Sequence, residues 1–389
     1  MFGNAILQFV LPLYLLRKTG SVALFGIVSA LSFIPMIIMS LIGGIIADRK
    51  NKRNIMVILD FLTAIIVLVY VLFYKNISFV PFLIFILMAL YGIQGTYQPV
   101  VQSSIPLLLN KDKIIQGSSI INLVNSLANL IGPAIGGILF GVYGIMPILI
   151  VSIICFVFSA IIERFIDIPF DENVSSESIF SIIKADMSLS IKFILKEKSI
   201  LGKSILIISA FNPFLTSMLI VGMPSIIIKT LNFSDELYGI TQGVIAMDSI
   251  IGGIITGILS EKLNIKNLHY LLIAYTFSII PMILALSYTT ASLFTYIIIS
   301  TMGFFIMIFA IMFSIQIITF VQIQTPPRIV GKVISCLLGL SLCAMPIGQA
   351  LYGVLFQNWL NSPQIVLIGA IICSFIMSIF SKYTFNKLN

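Results

Sequence analysis

The sequence predicts an all-α membrane protein built from two homologous six-helix halves. Of its 389 residues, 59% are hydrophobic and only 9% are charged, and the mean hydropathy is +1.14. A soluble chain carries about 25% charged residues. The apolar runs reach about 18 residues or more, which is long enough to cross a hydrocarbon layer of about 30 Å. The third observation is an internal repeat.

The repeat is visible in a short charged loop and in the proline-containing segments downstream. The loop GGIIADRKNKRN occupies residues 43–54, and a degraded copy, TGILSEKLNIKN, occupies residues 256–267. Pro133 and Pro346 stand at the same offset of 213 residues. One interval found in two unrelated places indicates a duplicated chain. Doubled membrane bundles of this kind are mostly transporters.

Twelve membrane spans are predicted, six in each half. The first half, 1–166, has spans at about 1–16, 22–47, 55–74, 79–105, 114–141 and 145–166. The second half, 201–389, has spans at about 201–228, 237–260, 268–288, 291–320, 329–356 and 364–381. The first span is short, since 16 residues of helix cover only about 24 Å.

Residues 167–200 form the one long polar segment, which we expect to link the two halves on the cytoplasmic side. Isoleucine and methionine recur in it at helical spacing, from Ile179 to Ile194. This pattern favours an amphipathic helix on the membrane surface. A plain linker is the alternative.

The distribution of basic residues predicts the orientation. Loops on the side of residues 48–54 contain 18 of the 22 lysines and arginines, and the other side has only Arg17, Lys18, Lys75 and Lys229. The positive-inside rule then puts both termini in the cytoplasm of a multi-pass protein of the cell membrane. The net charge of +8 follows from this topology. No nucleic-acid partner is expected, because the basic residues are spread over loops without aromatic platforms.

The charged loop and three further segments resemble the major facilitator superfamily. The loop from Gly44 to Arg53 resembles the signature between that family's second and third helices. The segments YQPVVQSSIP (97–106), NLIGPAIGG (129–137) and CAMPIGQALYG (343–353) resemble its macrolide-efflux and siderophore-exporter branch. The resemblance covers essentially the whole chain. It implies two pseudo-symmetric six-helix bundles, the major facilitator fold, around a central cavity that opens alternately to each side.

The resemblance also implies a gating role for the loop. The residues concerned are Gly44, Asp48, Arg49, Arg53 and, two turns into span three, Asp60. The glycine permits close helix packing, and the charges can bridge to carboxylates, lipid phosphates or helix ends. Asn51 replaces the family's usual glycine and would suit a left-handed turn. The alternative is that these charges only mark a cytoplasmic loop, and a structural role is favoured for Asp60.

Span five resembles the family's antiporter signature, Gly-Pro-x-x-Gly-Gly, through Gly132, Pro133, Gly136 and Gly137. Two upstream glycines of the full signature are replaced by Ser119 and Ala128, and span four lacks the arginine of many drug–proton antiporters. These departures weaken the inference of proton antiport.

Asp248 lies near the middle of span eight. A charge there costs about 2.5–3.5 kcal/mol on insertion scales, so it should face a cavity or a partner, or be protonated. The carboxyl is therefore either a proton or cation site or a neutral group bonded to a neighbouring helix.

Amide side chains share one face on each of two neighbouring spans, which favours a polar cavity. The predicted cavity residues are Tyr91, Gln94 and Gln98 of span four, Asn122, Asn125 and Asn129 of span five, and Asn212 and Gln316 from the other half. Interhelical hydrogen bonding, worth about 0.6 kcal/mol per contact, is the competing explanation.

The sequence thus favours a secondary transporter, and the resemblance to the efflux branch implies that it exports amphipathic small molecules in exchange for protons. It has no nucleotide-binding loop of the type G-x-x-x-x-G-K-[ST], and we expect no cofactor, no metal and no enzymatic activity. The expected partners are the lipid bilayer, a small amphipathic solute and protons, and the chain is expected to be a monomer. Uptake of a small solute and a non-transporting membrane scaffold or sensor remain alternatives.

Overall fold

The computed structural model describes residues 2–75, 77–109, 113–169, 193–194, 199–259, 265–288, 292–326 and 329–386. The amphipathic helix predicted within 167–200 lies almost entirely outside these residues. All regular structure in the described residues is helical.

In the first half of the sequence the helices are α1 (Phe2–Thr19), α2 (Val22–Arg49), α3 (Lys52–Phe73), α4 (Phe79–Leu108), α5 (Ile114–Tyr143) and α6 (Ile145–Glu163). In the second half they are α7 (Ser199–Phe211), α8 (Ser217–Pro224), α9 (Asp235–Ala246), α10 (Asp248–Ile258), α11 (Leu268–Tyr288), α12 (Leu293–Gln324), α13 (Val330–Asn358) and α14 (Pro363–Phe385). Two π-helical turns, Asn212–Thr216 and Ser225–Thr230, continue α7 and α8.

These boundaries reproduce the repeat of 213 residues. Moving the starts of α2, α3, α4 and α5 forward by that interval gives positions 235, 265, 292 and 327. The corresponding helices α9, α11, α12 and α13 start at 235, 268, 293 and 330, and a short 3₁₀ turn begins at 265. The duplication read from two motifs therefore extends to the helix boundaries of the two halves.

Among the described residues, eleven helical stretches are long and apolar enough to cross a membrane. One of them, Ile200–Thr230, combines α7, α8 and the π-helical turns, and another, Asp235–Ile258, combines α9 and α10. The short first helix, α1, is not among the eleven, but its 18 residues cover about 27 Å of helix length.

The chain packs as two compact units. The first comprises Met1–Gly20, Val28–Ile183 and Asp235–Gly239, and the second comprises Ser21–Ile27, Lys184–Ser234 and Ile240–Asn389. Each unit includes the start of one helix from the other half of the sequence. The division predicted from the sequence, at 166 and 201, therefore stays a prediction.

Close packing in the first unit explains two glycines of the GPAIGG segment. A Cβ atom on Gly132 would lie 2.9 Å from the Ala5 side chain of α1. A Cβ atom on Gly137 would lie 2.7 Å from the Cα atom of Gly239, at the start of α9. Both distances are too short for a side chain, so these positions let neighbouring helices approach backbone to backbone.

The second unit accommodates prolines within a membrane span. Pro213 lacks an N–H group and lies in the first π-helical turn, which disturbs the regular ladder of backbone hydrogen bonds. Neighbouring helices bond to the carbonyl groups of this turn: the Tyr275 hydroxyl donates to the Leu215 carbonyl at 2.9 Å, and the Tyr352 hydroxyl donates to the Phe214 carbonyl at 2.6 Å. Such side-chain donors are how irregular helices are tolerated in lipid.

Candidate functional site

The first unit contains a polar cavity of about 250 Å³ inside its helix bundle. Five helices line it: α1, α3, α4, α5 and α6. Most of the lining side chains can form hydrogen bonds, namely Asn4, Gln8, Asp60, Thr63, Gln94, Tyr97, Gln98, Asn125 and Asn129. An apolar bundle interior would need none of these groups for packing alone.

The amides of the cavity are only partly satisfied by the protein. The Gln98 Nε2 group donates to Asn125 Oδ1 at 3.5 Å, which is a long hydrogen bond. Gln8 Nε2 and Gln94 Oε1 are buried and have no partner among the described residues. Buried polar atoms without a partner are costly, so these atoms are expected to bind water or a solute.

The volume limits what the cavity can enclose. Pockets that hold a drug-sized ligand measure about 300–1,000 Å³. At roughly 30 Å³ per water, the cavity of about 250 Å³ has room for several waters or for the polar end of a larger molecule.

A pair of buried carboxyl groups lies beside this cavity. Asp60 of α3 and Glu163 of α6 are each only 6% exposed. Tyr97 of α4 donates to Glu163 Oε1 at 2.5 Å, and the Ser159 side chain of α6 lies beside Asp60. Because Ser159 and Glu163 are one turn apart, α6 turns both side chains toward the same neighbours.

An apolar cluster adjoins the carboxyl pair. The segment that follows α6 packs Ile166 and Ile168 into a group formed by α2, α3, α4 and α5, whose other members are Ile46, Ala47, Ile55, Met56, Leu59, Val100, Val101 and Ile121. Tyr97 also packs against this cluster, so its ring lies between the apolar side chains and its hydroxyl reaches Glu163. The amide-lined cavity and this cluster thus share Tyr97.

The structure brings four of the eight predicted cavity residues onto the cavity: Gln94, Gln98, Asn125 and Asn129. Tyr91 packs instead on Phe33, with ring centroids 5.3 Å apart, and Asn122 is exposed. The Asn212 amide donates to the Ser341 carbonyl of α13 at 3.1 Å, and Gln316 is half-buried in α12.

Asp248 occupies a different environment, at a break in its span. The span divides at Met247 into α9 and α10, and Asp248 is the first residue of α10. Its carboxylate accepts a hydrogen bond from the backbone N–H of Ser249 at 2.6 Å. A carboxylate at a helix N-terminus is stabilised by the unpaired N–H groups and by the helix dipole.

The structure describes the loop between α2 and α3 only in part. Gly44 and the side chain of Asp48 are not described. Arg49 is the last residue of α2, and Arg53 donates through Nε to Asn54 Oδ1 at 3.4 Å. Asp60 is not brought to Arg53 and faces α6 and the cavity instead.

The prediction that Asn51 supports a left-handed turn is wrong. Its φ is −60° and its ψ is 114°, which is extended backbone. The Asn51 side chain accepts from the backbone N–H of Asn54 at 3.3 Å, so it is the N-cap of α3. Asparagine is among the best N-cap residues, which gives its presence a different physical reason.

Several residues of this site were not predicted from the sequence, among them Tyr97, Glu163, Asn4 and Gln8. Glu163 was overlooked because an acid at the end of a span resembles an ordinary boundary charge. The available signal was the spacing of Ser152, Phe156, Ser159 and Glu163, which places them on one face of α6. Asn4 and Gln8 are also four residues apart, in a helix that is otherwise mostly apolar.

A helical membrane bundle with a polar cavity in its interior, in which some buried amide atoms have no hydrogen-bond partner among the described residues, is typical of membrane transport proteins. The family model described as "Major Facilitator Superfamily" matches residues 1–341. The chain belongs to this superfamily. Its members are carriers, so the chain is a transporter and not an enzyme, and the predicted major facilitator fold is confirmed.

Relatives and solved structures of known proteins agree with this assignment. Macrolide efflux protein A of Streptococcus pyogenes is 23% identical over an alignment of 397 positions, which covers 97% of this chain and 93% of that protein. The staphyloferrin A transporter of Staphylococcus aureus is 22% identical over 69% of this chain and 67% of that protein. A bacterial homologue of the lysosomal transporter Spinster, in an inward-facing and occupied conformation, superposes with a TM-score of 0.76 at 15% identity, over 100% of this chain and 95% of that one.

Proposed function

We propose that the chain is a secondary active transporter of the cell membrane that exports amphipathic small molecules in exchange for protons. The observation that carries the proposal is the similarity to macrolide efflux protein A over nearly the full length of both chains. Driving force from an ion gradient is consistent with the lack of a nucleotide-binding loop in the sequence. We further propose a monomer with both termini in the cytoplasm.

The cavity of the first unit is proposed to bind the polar end of the solute. Its amide groups offer both donors and acceptors, and Gln8 Nε2 and Gln94 Oε1 have no partner among the described residues. Since the volume is about 250 Å³, the apolar part of an amphipathic solute would lie outside this cavity. Alternating access, the mode of transport proposed, would expose the solute to each side in turn.

The test is accumulation of a radiolabelled macrolide, and of a panel of other amphipathic drugs, in cells with and without the gene. We expect lower accumulation and higher drug tolerance in cells that express the protein. Higher accumulation would instead support uptake. Unchanged accumulation of the whole panel, with the protein present in the membrane, would contradict transport of these compounds and favour a scaffold or sensor.

A matched pair of variants in α4 tests the cavity. Gln98 lines the cavity, whereas Gln102, one turn further along the same helix, is exposed. We expect Gln98→Leu to reduce export severalfold, because an unpaired polar group in a binding site costs about 1–3 kcal/mol. Gln102→Leu, with the same change of chemistry, should leave export near the wild-type level. Equal effects of the two variants would contradict binding at the cavity.

A further inference from the structure

We propose that Asp60 and Glu163, bridged to the cavity by Tyr97, form the site that binds the coupling proton. This inference rests on the proposed proton-coupled transport and adds the residues that carry the proton. The sequence pointed to Asp248 for this role, so the two assignments compete.

The geometry gathers three proton-exchanging groups from three helices. Asp60 comes from α3, Tyr97 from α4 and Glu163 from α6. The Tyr97 hydroxyl donates to Glu163 Oε1 at 2.5 Å, and Asp60 and Tyr97 both line the cavity. A proton that reaches the cavity through water therefore meets Asp60 directly and Glu163 through the Tyr97 hydroxyl.

One carboxylate oxygen of Glu163 is buried without a hydrogen-bond partner among the described residues, which is a second observation in favour of a bound proton. Its side chain is 94% buried, since only 6% of its surface is exposed, and its Oε2 atom has no hydrogen-bond partner among the described residues. An ionised carboxylate has about four acceptor positions, and burying one without partners is strongly unfavourable. A proton on Oε2 removes the charge and so removes most of this penalty.

Among the described residues, no positively charged side chain contacts the carboxyl pair. No lysine or arginine among the described residues forms an ion pair with either carboxyl group, and Arg164, which follows Glu163, is exposed. The groups that act on the pair are Tyr97 and the two carboxyls themselves, which repel each other when ionised. The lining side chains from α1 and α5 are neutral.

The carboxyl pair has two states, one with a bound proton and one without it. When both carboxyls are ionised, two negative charges are buried close together, which demands a compensating positive charge. When one proton is bound, a single charge remains, and it can be shared through hydrogen bonds. The proton binds to a carboxylate oxygen and leaves from it, and no other bond is made or broken.

The apolar cluster closes one side of the pair. Ile166 and Ile168 pack against side chains of α2, α3 and α4 at the end of α6, and Tyr97 separates this cluster from the cavity. A coupling site requires access from the cavity on one side and apolar packing on the other. A proton that passes the site without being held there would not drive transport of the solute.

Infrared difference spectroscopy on the purified full-length chain tests the inference without any transported solute. The carbonyl band of protonated carboxyl groups is followed during a pH titration in wild type, in Asp60→Asn, in Glu163→Gln and in the double variant. We expect a titrating component that shrinks in each single variant and is lost in the double variant. Asp167→Asn, which removes an exposed carboxyl four residues after Glu163, is the control and should keep the component.

Three results would overturn the inference. The first is an identical titrating component in wild type and double variant. The second is loss of the component in Asp248→Asn alone, which would give the proton to Asp248. The third is a response of the band to Na⁺ at constant pH, with choline as the reference cation, which would indicate a metal-cation site. If the double variant does not fold, as judged by gel filtration, the single variants decide between the same outcomes. Because no solute is needed, a failure of the export proposal does not affect these results.

Discussion

Asp60 and Asp248, acids of two different membrane spans, are equally buried but differently surrounded. Each is 6% exposed. Asp60 lines a cavity and lies beside Ser159 and a second carboxyl group, both on α6. Asp248 begins a helix and accepts from the backbone N–H of the next residue at 2.6 Å.

The difference shows that burial of a charge does not by itself indicate a functional site. The Asp248 carboxylate has a partner in its own backbone, the N–H group of Ser249, beside the break in its span. No comparable backbone contact explains the pair of Asp60 and Glu163 in the described residues, and one Glu163 oxygen remains without a partner. The pair therefore lacks the local structural explanation that the neighbouring backbone offers for Asp248.

The largest effect on stability is expected from Tyr97→Phe. This change removes the only hydrogen bond to Glu163 that the described residues provide, so both carboxylate oxygens are left buried and unpaired. The free energy of unfolding should fall by about 1–3 kcal/mol. Denaturant titration of the detergent-solubilised protein measures it.

Tyr91→Phe is the matched control for that variant. Tyr91 lies on the same helix, is 9% exposed and packs on Phe33, and its hydroxyl has no partner among the described residues. Its loss should change the free energy of unfolding much less. Equal destabilisation by the two variants would mean that the bond from Tyr97 to Glu163 contributes nothing specific.

A smaller effect is expected from Ser159→Ala, which removes the hydroxyl beside Asp60. A hydrogen bond between these two groups contributes about 0.5–1.5 kcal/mol. Ser152→Ala is the control, because Ser152 is a buried serine two turns earlier on the same helix. The same unfolding titration compares them, and a greater loss in Ser152→Ala would argue against the Asp60 contact.

The smallest effect is expected from Asp248→Asn. An asparagine oxygen can still accept from the Ser249 N–H, so the free energy of unfolding should change by less than about 0.5 kcal/mol. Asp248→Leu removes the acceptor and should cost about 1 kcal/mol. If both variants destabilise the protein strongly, the carboxyl makes a contact other than its hydrogen bond to the Ser249 N–H.

Sequence patterns predicted the helices and the duplication well. Long apolar runs limit where a membrane helix can begin and end, and a constant offset relates the helices of one half to those of the other. They predicted the site only in part. Helical spacing groups Tyr91 with Gln94 and Gln98, but it cannot say where the boundary of the cavity falls, and Tyr91 lies outside it against Phe33. Glu163 could not be recognised without knowing that α6 packs on α3 and that Tyr97 of α4 reaches it. Asn51 shows the same limit, since a turn and an N-cap favour the same residue type.

Transport in proteoliposomes with an acidic interior tests the central claim most directly, with a radiolabelled macrolide as the probe. Accumulation driven by the pH gradient is compared with exchange of labelled for unlabelled solute at equal pH, which needs no net proton movement. We expect the double variant Asp60→Asn/Glu163→Gln to lose gradient-driven accumulation, down to the level of empty liposomes, but to keep exchange. Asp248→Asn should keep both gradient-driven accumulation and exchange. Gradient-driven accumulation that survives in the double variant and disappears in Asp248→Asn would contradict this claim.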